Sequence, residues 1–344
     1  MNDRLKRAVV LGAQAAFALG ALAYVLAQID LERAGRQLLT VDPLVVAAVL
    51  AVTTLEFVTR FSMWHALLYG LDRVAFRTSA TVDLVIKFVN HVLPSKASGH
   101  SVAPLVVRHY TGVDWTDAVT VAGLNTGLYA ALYGVVSLAG LVLFATALPG
   151  GIAVVVALST AAYLAAGVLV LLAGRRLEAA GRLFGTLEGL FSRVPRIGDR
   201  LAGLVGKLPT FTAESAATFR DLSSRPAVVL PYALGWVGTL ALAPGIRVWL
   251  LLDALGGGFS PALLLPVALV TAYSVTILPV TPGGVGVAEA SATLVLTALG
   301  VAPEVAGVVV LLDRAFGVYL PALFGWVPFA SLDLPALLSR ESEG

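Results

Sequence analysis

The sequence predicts an all-α integral membrane protein, a polytopic helical bundle carrying two oppositely oriented re-entrant broken-helix hairpins. Three observations lead there. Of the 344 residues, 58% are hydrophobic and only 13% charged, against about 25% charged in an ordinary soluble domain. Mean hydropathy is +0.90. Apolar runs long enough to cross a bilayer recur through nearly the whole chain, and two of them are interrupted by proline and glycine.

A helix needs about 20 apolar residues to cross a ~30 Å hydrocarbon layer. Runs of that kind occupy 5–28, 43–68, 115–148, 151–173, 226–252 and 303–329. Helices are required because lipid offers free backbone groups no partner, and the alternation of a barrel strand is absent. Met1 to Arg7 is basic and precedes a run too long for a signal peptide, so the first run is expected to be a retained span. Trp64, Trp115, Trp249 and Trp326 fall near predicted ends, where interfacial aromatics are expected. The membrane domain is expected to fill 1–331, with a short cytoplasmic tail at 332–344.

Two further apolar stretches, 80–110 and 261–300, behave differently. The first is broken by Leu93-Pro94-Ser95-Lys96-Ala97-Ser98-Gly99-His100, the second by Leu278-Pro279-Val280-Thr281-Pro282-Gly283-Gly284-Val285-Gly286. Proline removes a donor and clashes with the preceding turn, and glycine is a poor helix former. Each stretch is therefore expected to be a re-entrant pair of half-helices. The polar segment 174–225 carries nine basic residues from Arg175 to Arg225, against five acids. That excess places it in the cytoplasm, either lying on the membrane surface as an amphipathic segment or as a solvated linker. Both chain termini then fall on the same side, and the two hairpins enter from opposite sides, an arrangement that brings binding sites to the midplane of many transporters.

The second break, continued through Val287-Ala288-Glu289, resembles the motif of the lysylphosphatidylglycerol synthase transmembrane family, also called flippase-like domain proteins. Asp313-Arg314 is similar to the arginine-bearing helix that follows in that family, and Asn90 to Gly99, with Arg108 and Gly112 beyond, resembles its first motif. The resemblance runs over essentially the whole chain in span order. It implies a lipid-handling membrane unit. Some members carry a soluble aminoacyl-transferase domain; with only a short tail after Phe329, lysyl transfer by this chain is not expected. His100 and Ala103 stand where many members have an acid and an arginine, so the headgroup preference of those relatives is not carried over.

An ionisable group in mid-membrane costs about 2.5–3.5 kcal/mol or more, which makes each one a functional candidate. Glu56 and Arg60 are one turn apart and read as a structural ion pair, or as a headgroup or gating contact. Asp83 and Lys87 share that spacing and are placed near the interface, where lysine can snorkel. Lys96 and His100 flank the first break, where a half-helix beginning near Gly99 would turn free N–H groups toward a phosphate. Glu289 falls in the first turn of the outgoing half-helix; it can cap, bind a cation, relay a proton or pair with Arg314. Arg247 and Arg314 have no acid one turn away on their own helices and need a partner from elsewhere or a lipid phosphate. The residues expected to meet a lipid headgroup are Asn90, Lys96, Ser98, Gly99, His100, Arg108, Thr281, Pro282, Gly283, Gly284, Gly286, Glu289 and Arg314.

Other chemistries find little support. The chain has no cysteine, which excludes disulfides, thiolate metal sites and cysteine nucleophiles. No two of the four histidines are three or four residues apart, so no metal is expected. A net charge of +2, with no basic tract interleaved with aromatics, argues against nucleic acid. No GxxxxGK[ST] sequence is present, and no cofactor is expected. The expected activity is binding or translocation of an anionic or glycosylated lipid headgroup, in a plasma-membrane protein that is not an enzyme. A second copy or a lipid-modifying enzyme are possible partners. The alternatives are a lipid-linked glycosyl- or phosphotransferase and a non-catalytic accessory subunit; activity on a lipid-linked donor, or glycolipid loss on deletion without transport in vitro, would distinguish them.

Overall fold

A computed structural model describes residues 41–92, 96–191, 208–278 and 280–330. The expected first span, the tip of the first hairpin at 93–95, Pro279 and the tail lie outside the described residues.

Within them the chain is helical, without strands. Helix α1 runs Pro43–Leu71, α2 Phe76–Val92, α3 Lys96–Thr111, α4 Trp115–Leu143 and α5 Gly150–Phe191. Then come α6 (Leu208–Ser224), α7 (Pro226–Ala254), α8 (Leu265–Tyr273, extended by a 3₁₀ turn Ser274–Ile277), α9 (Val287–Ala298) and α10 (Pro303–Ala330). Five segments, Pro43–Leu71, Trp115–Leu143, Gly150–Leu177, Pro226–Ala254 and Pro303–Ala330, are long and apolar enough to span a membrane. Each has 28 or 29 residues, about 42 Å at 1.5 Å per residue, enough for the hydrocarbon layer and part of both headgroup regions.

Local chemistry explains the ends. Pro43, Pro226 and Pro303 sit in the first turn, where a missing N–H costs nothing. Asp42 caps α1 by accepting from the Leu44 amide at 2.8 Å. Within the helices, Thr53, Thr120 and Thr271 donate to carbonyls four residues back, at 2.8, 2.7 and 2.7 Å, so their hydroxyls need no water. Small residues let the helices approach closely. On α5, a Cβ at Gly167 would stand 2.7 Å from the Ala131 amide nitrogen of α4. On α7, a Cβ at Gly235 would meet the Thr59 carbonyl of α1 at 2.8 Å. Outward, large apolar side chains such as Leu55, Val142, Leu169, Leu234 and Val327 are more than half exposed. That is a surface suited to lipid rather than water.

Counting the long spans assigns the ends. At one face the end of α1 meets the start of α7, where Arg225 donates to the Gly70 carbonyl at 3.2 Å. Helices α2 and α3 begin and end at this face, because α2 follows α1 after four residues and α3 is followed by α4 after three. At the other face α4 turns into α5, α7 ends, and the α8–α9 pair opens, a Cβ at Gly257 falling 2.6 Å from Val305 at the start of α10. The two short helical pairs therefore approach each other from opposite faces.

Several expectations shift. Helix α3 starts at Lys96, three residues before the start expected near Gly99, so Gly99 lies in its first turn. The second stretch is broken as expected: Leu278 is extended and the backbone regains the α conformation only at Val287. Within the segment 174–225, described only in part, the chain is helical at both ends. Helix α5 continues to Phe191, 192–207 lies outside the described residues, and α6 packs on α4 and α5 through buried Thr212, Ser215 and Phe219. Trp64 is buried rather than interfacial, whereas Trp249 and Trp326 are about half exposed. Asp83 is buried too, receiving a hydrogen bond from Trp64.

Candidate functional site

Six ionisable side chains from four helices meet in the interior. Glu56 and Arg60 come from α1, Arg247 from α7, Glu289 from α9, and Asp313 and Arg314 from α10. None is more than 6% exposed, and Arg247 and Glu289 are fully buried. Three positive and three negative charges balance, which is how a low-dielectric interior tolerates them.

Arg247 is the centre. It donates to Asp313 through Nε at 2.8 Å and Nη2 at 2.6 Å, and to Glu56 Oε2 through Nη1 at 2.6 Å. Glu56 Oε1 accepts from Arg60 at 2.6 Å. Arg60 also donates to the Gly317 carbonyl at 2.8 Å. Asp313 Oδ2 accepts from the Tyr273 hydroxyl at 2.8 Å. A second pair adjoins the first: Arg314 Nε donates to Glu289 Oε1 at 2.8 Å, and that oxygen also accepts from the Tyr319 hydroxyl. The Arg314 guanidinium lies 5.5 Å from the Tyr273 ring centre and 5.6 Å from that of Tyr319, within cation–π range.

Backbone irregularity makes room for these charges. Helix α10 widens into a π turn at Ala315–Tyr319, immediately after Arg314, and α7 widens at Gly238–Leu242. Such turns often mark functional sites. A Cβ on Gly317 would stand 2.6 Å from Arg247 Nη2 and 3.2 Å from Glu56, so only glycine lets the guanidinium pass. The second break lies alongside. Thr281, buried, donates to the Val285 carbonyl at 2.9 Å and closes the loop. Gly283, Gly284 and Gly286 have φ of 61°, 74° and 80°, a region side chains disfavour. Gly286 caps α9, which sets Glu289 in the first turn near the positive end of the helix. Helix α2 packs against the turn Pro282–Gly284.

The structure thus brings together Glu56, Arg60, Glu289 and Arg314 from the expected residues, with the loop of Thr281, Gly283, Gly284 and Gly286 beside them. Asn90 is on α2, its side-chain carbonyl buried. Lys96, Ser98, Gly99 and His100 occupy the opening turns of α3; their side chains, like that of Pro282, lie outside the described residues. Arg108 is elsewhere. It is exposed in a surface cleft of about 580 Å³, shared with Asp114, Asp117 and Glu214. Sequence reasoning saw that Arg247 needed a distant partner but could not name Glu56 and Asp313, and it missed Tyr273 and Tyr319 altogether. Tyrosine in an apolar run reads as packing; only its place beside a buried acid distinguishes it. Among the described residues, no group of His, Asp or Glu could hold a metal ion.

Spans, opposed helical pairs and a balanced interior charge cluster define a multi-pass helical membrane protein with polar chemistry in its core. Residues 9–325 match the model of the family described as lysylphosphatidylglycerol synthase TM region, and the chain belongs to that family. Comparison with curated proteins found no match.

Proposed function

We propose that this protein binds a polar lipid headgroup, anionic or glycosylated, and carries it between leaflets while the acyl tails stay in lipid. One observation carries the reading. Arg314, 6% exposed, keeps Nη2 without a hydrogen-bond partner among the described residues, beside a helix pair that is opened by a glycine-rich break. A buried guanidinium edge is matched by a phosphate. Starts of half-helices, at Lys96 and at Val287, supply further N–H donors and favourable dipole ends. The α2–α3 and α8–α9 pairs are read as re-entrant hairpins that shield the headgroup.

In this reading the chain is a transporter rather than an enzyme. Any driving force is a gradient or downhill exchange. It resides in the plasma membrane with both termini in the cytoplasm, and its partners are membrane lipids, with a second copy or a lipid-modifying enzyme as possible companions. Family membership and the buried charges support this.

The test is reconstitution of the protein in phosphatidylcholine vesicles containing a trace of fluorescent phosphatidylglycerol, with loss of inner-leaflet protection from dithionite as readout. The protein should accelerate exchange over empty vesicles. The double variant Glu289→Gln with Arg314→Gln, which removes both charges together and so strands neither, should return the rate to that of empty vesicles. Wild-type protein that leaves the rate unchanged would end the translocation reading.

A further inference from the structure

The charge count of the interior limits what can enter it. Counted as ionised, the six side chains of the cluster sum to zero, and Asp83 and Lys87, one turn apart on α2, add zero more. An anionic headgroup then brings one uncompensated negative charge into a low-dielectric place, which is costly unless a cation accompanies it. The smallest such cation is a proton, and it needs a carboxylate oxygen to sit on.

Most carboxylate oxygens in the cluster are taken. Glu56 accepts from Arg60 on Oε1 and from Arg247 on Oε2. Asp313 accepts from Arg247 on Oδ1 and from Tyr273 on Oδ2. Two carboxyl oxygens, Glu289 Oε2 and Asp83 Oδ2, are buried without a hydrogen-bond partner among the described residues. The two acids differ in what holds them. Arg314 holds Glu289 at 2.8 Å, so a proton there would undo an ion pair. Asp83, 9% exposed, accepts from the neutral side chain of Trp64, a bond that a protonated acid keeps.

Asp83 lies seven residues into α2, about 10 Å from the face where that helix begins. One turn nearer that face Ser79 is fully buried, and its hydroxyl stands 3.4 Å from His65 Nδ1 of α1. Hydroxyl and imidazole both donate and accept, so the pair can pass a proton inward. The charges acting on Asp83 are those of Arg60 and Glu56 of α1 and Lys87 of its own helix; Arg314 acts in turn on Lys87. The other elements packed against α2 add little. The turn Pro282–Gly284 and the stretch Leu320–Ala330 of α10 have no ionisable side chain. On α3, Arg108 and His109 are exposed near its end, and the side chains of Lys96 and His100 lie outside the described residues.

We infer that Asp83 couples this carrier to protons: an anionic headgroup and one proton cross together, the proton riding on Asp83 Oδ2. This rests on the lipid-carrying reading above and adds its driving ion. The proton comes from water at one face, forms an O–H bond at Oδ2, and returns to water at the other face as the headgroup leaves. With a headgroup of charge −1, each crossing moves no net charge.

The experiment imposes gradients on the phosphatidylcholine vesicles with fluorescent phosphatidylglycerol and reads the dithionite-protected fraction at equilibrium. With about one pH unit held across the membrane, wild-type protein should enrich the probe in the leaflet facing the alkaline side by up to about tenfold, the equivalent of ~1.4 kcal/mol per proton. A sodium gradient at equal pH should not move it. Asp83→Asn should still speed exchange over empty vesicles but leave the probe distributed as at equal pH, and Asp83→Glu should retain the shift. Wild-type protein that speeds exchange yet ignores the pH gradient overturns the inference and leaves the translocation reading standing, as does a shift that survives Asp83→Asn. A redistribution driven by sodium overturns it in favour of a metal cation. Protein that does not speed exchange at all removes the translocation reading itself. Should Asp83→Asn fail to fold, the wild-type protein is treated with a lipid-soluble carbodiimide, which reacts with protonated carboxyls. Asp83 should then be modified faster as pH falls, with loss of the shift, and an Asp83 left unmodified overturns the inference.

Discussion

Arg247 holds the core charges in register. Its guanidinium spans Glu56 and Asp313, residues 191 and 66 positions away along the chain. Remove it and Asp313, 3% exposed, loses its counter-charge, while Glu56 keeps only Arg60. Arg247→Met should lower stability by about 3–5 kcal/mol, as for other buried pairs broken from one side, measurable as a large drop in detergent melting temperature. Combining Arg247→Met with Asp313→Asn should recover much of that loss, because Glu56 keeps its pairing with Arg60 and no charge is then stranded. A melting temperature unmoved by Arg247→Met would show that the three side chains do not depend on one another. At this scale the sequence was legible in part. Buried charges announce themselves in an apolar run, and the Glu56–Arg60 spacing lies within one helix. The cross-helix partners and the burial of Asp83 were not legible, because nothing along the chain encodes which residues of distant helices meet.

Helices α7 and α10 each contain a widened turn that hydropathy reads as continuous helix. Such a turn changes the backbone register by one residue while leaving the apolar pattern intact, so composition carries no trace of it. The second break is the reverse case. Its two prolines and three glycines declare a non-helical backbone, and the positive φ of Gly283, Gly284 and Gly286 follows from that composition. Gly286→Ala should therefore cost about 1–3 kcal/mol from backbone conformation alone. In the transport assay it should slow exchange by loosening the cap that places Glu289. A melting temperature unchanged by Gly286→Ala would mean that the loop accommodates a side chain freely. Gly317→Ala acts through space rather than φ: its methyl would collide with Arg247 Nη2 and should destabilise by about 1–3 kcal/mol.

For the whole molecule, the defining relation is two helical pairs approaching from opposite faces. The chain has no cysteine, so single cysteines report sidedness without background. Arg73→Cys and Asp114→Cys flank the first pair, and Gly258→Cys and Ala302→Cys flank the second. In intact cells an impermeant maleimide should label the last two and spare the first two. Labelling all four from one side would refute the opposed arrangement. The same experiment tests the expected cytoplasmic placement of the basic segment, because Arg225 contacts Gly70 at the face where Arg73 lies.

What the sequence determined by itself is one-dimensional: where spans of about 20 apolar residues begin and end, where proline and glycine forbid helix, and which charges must find company. Bilayer thickness and local backbone chemistry set those features, and both act over a few turns of chain. Tertiary structure alone decided that Arg247 joins Glu56 to Asp313, that Tyr273 and Tyr319 flank Arg314, that Arg108 faces a separate cleft, and that Asp83 is buried against Trp64. Those outcomes depend on how helices pack around small residues and widened turns, a competition among many distant contacts that no local window contains.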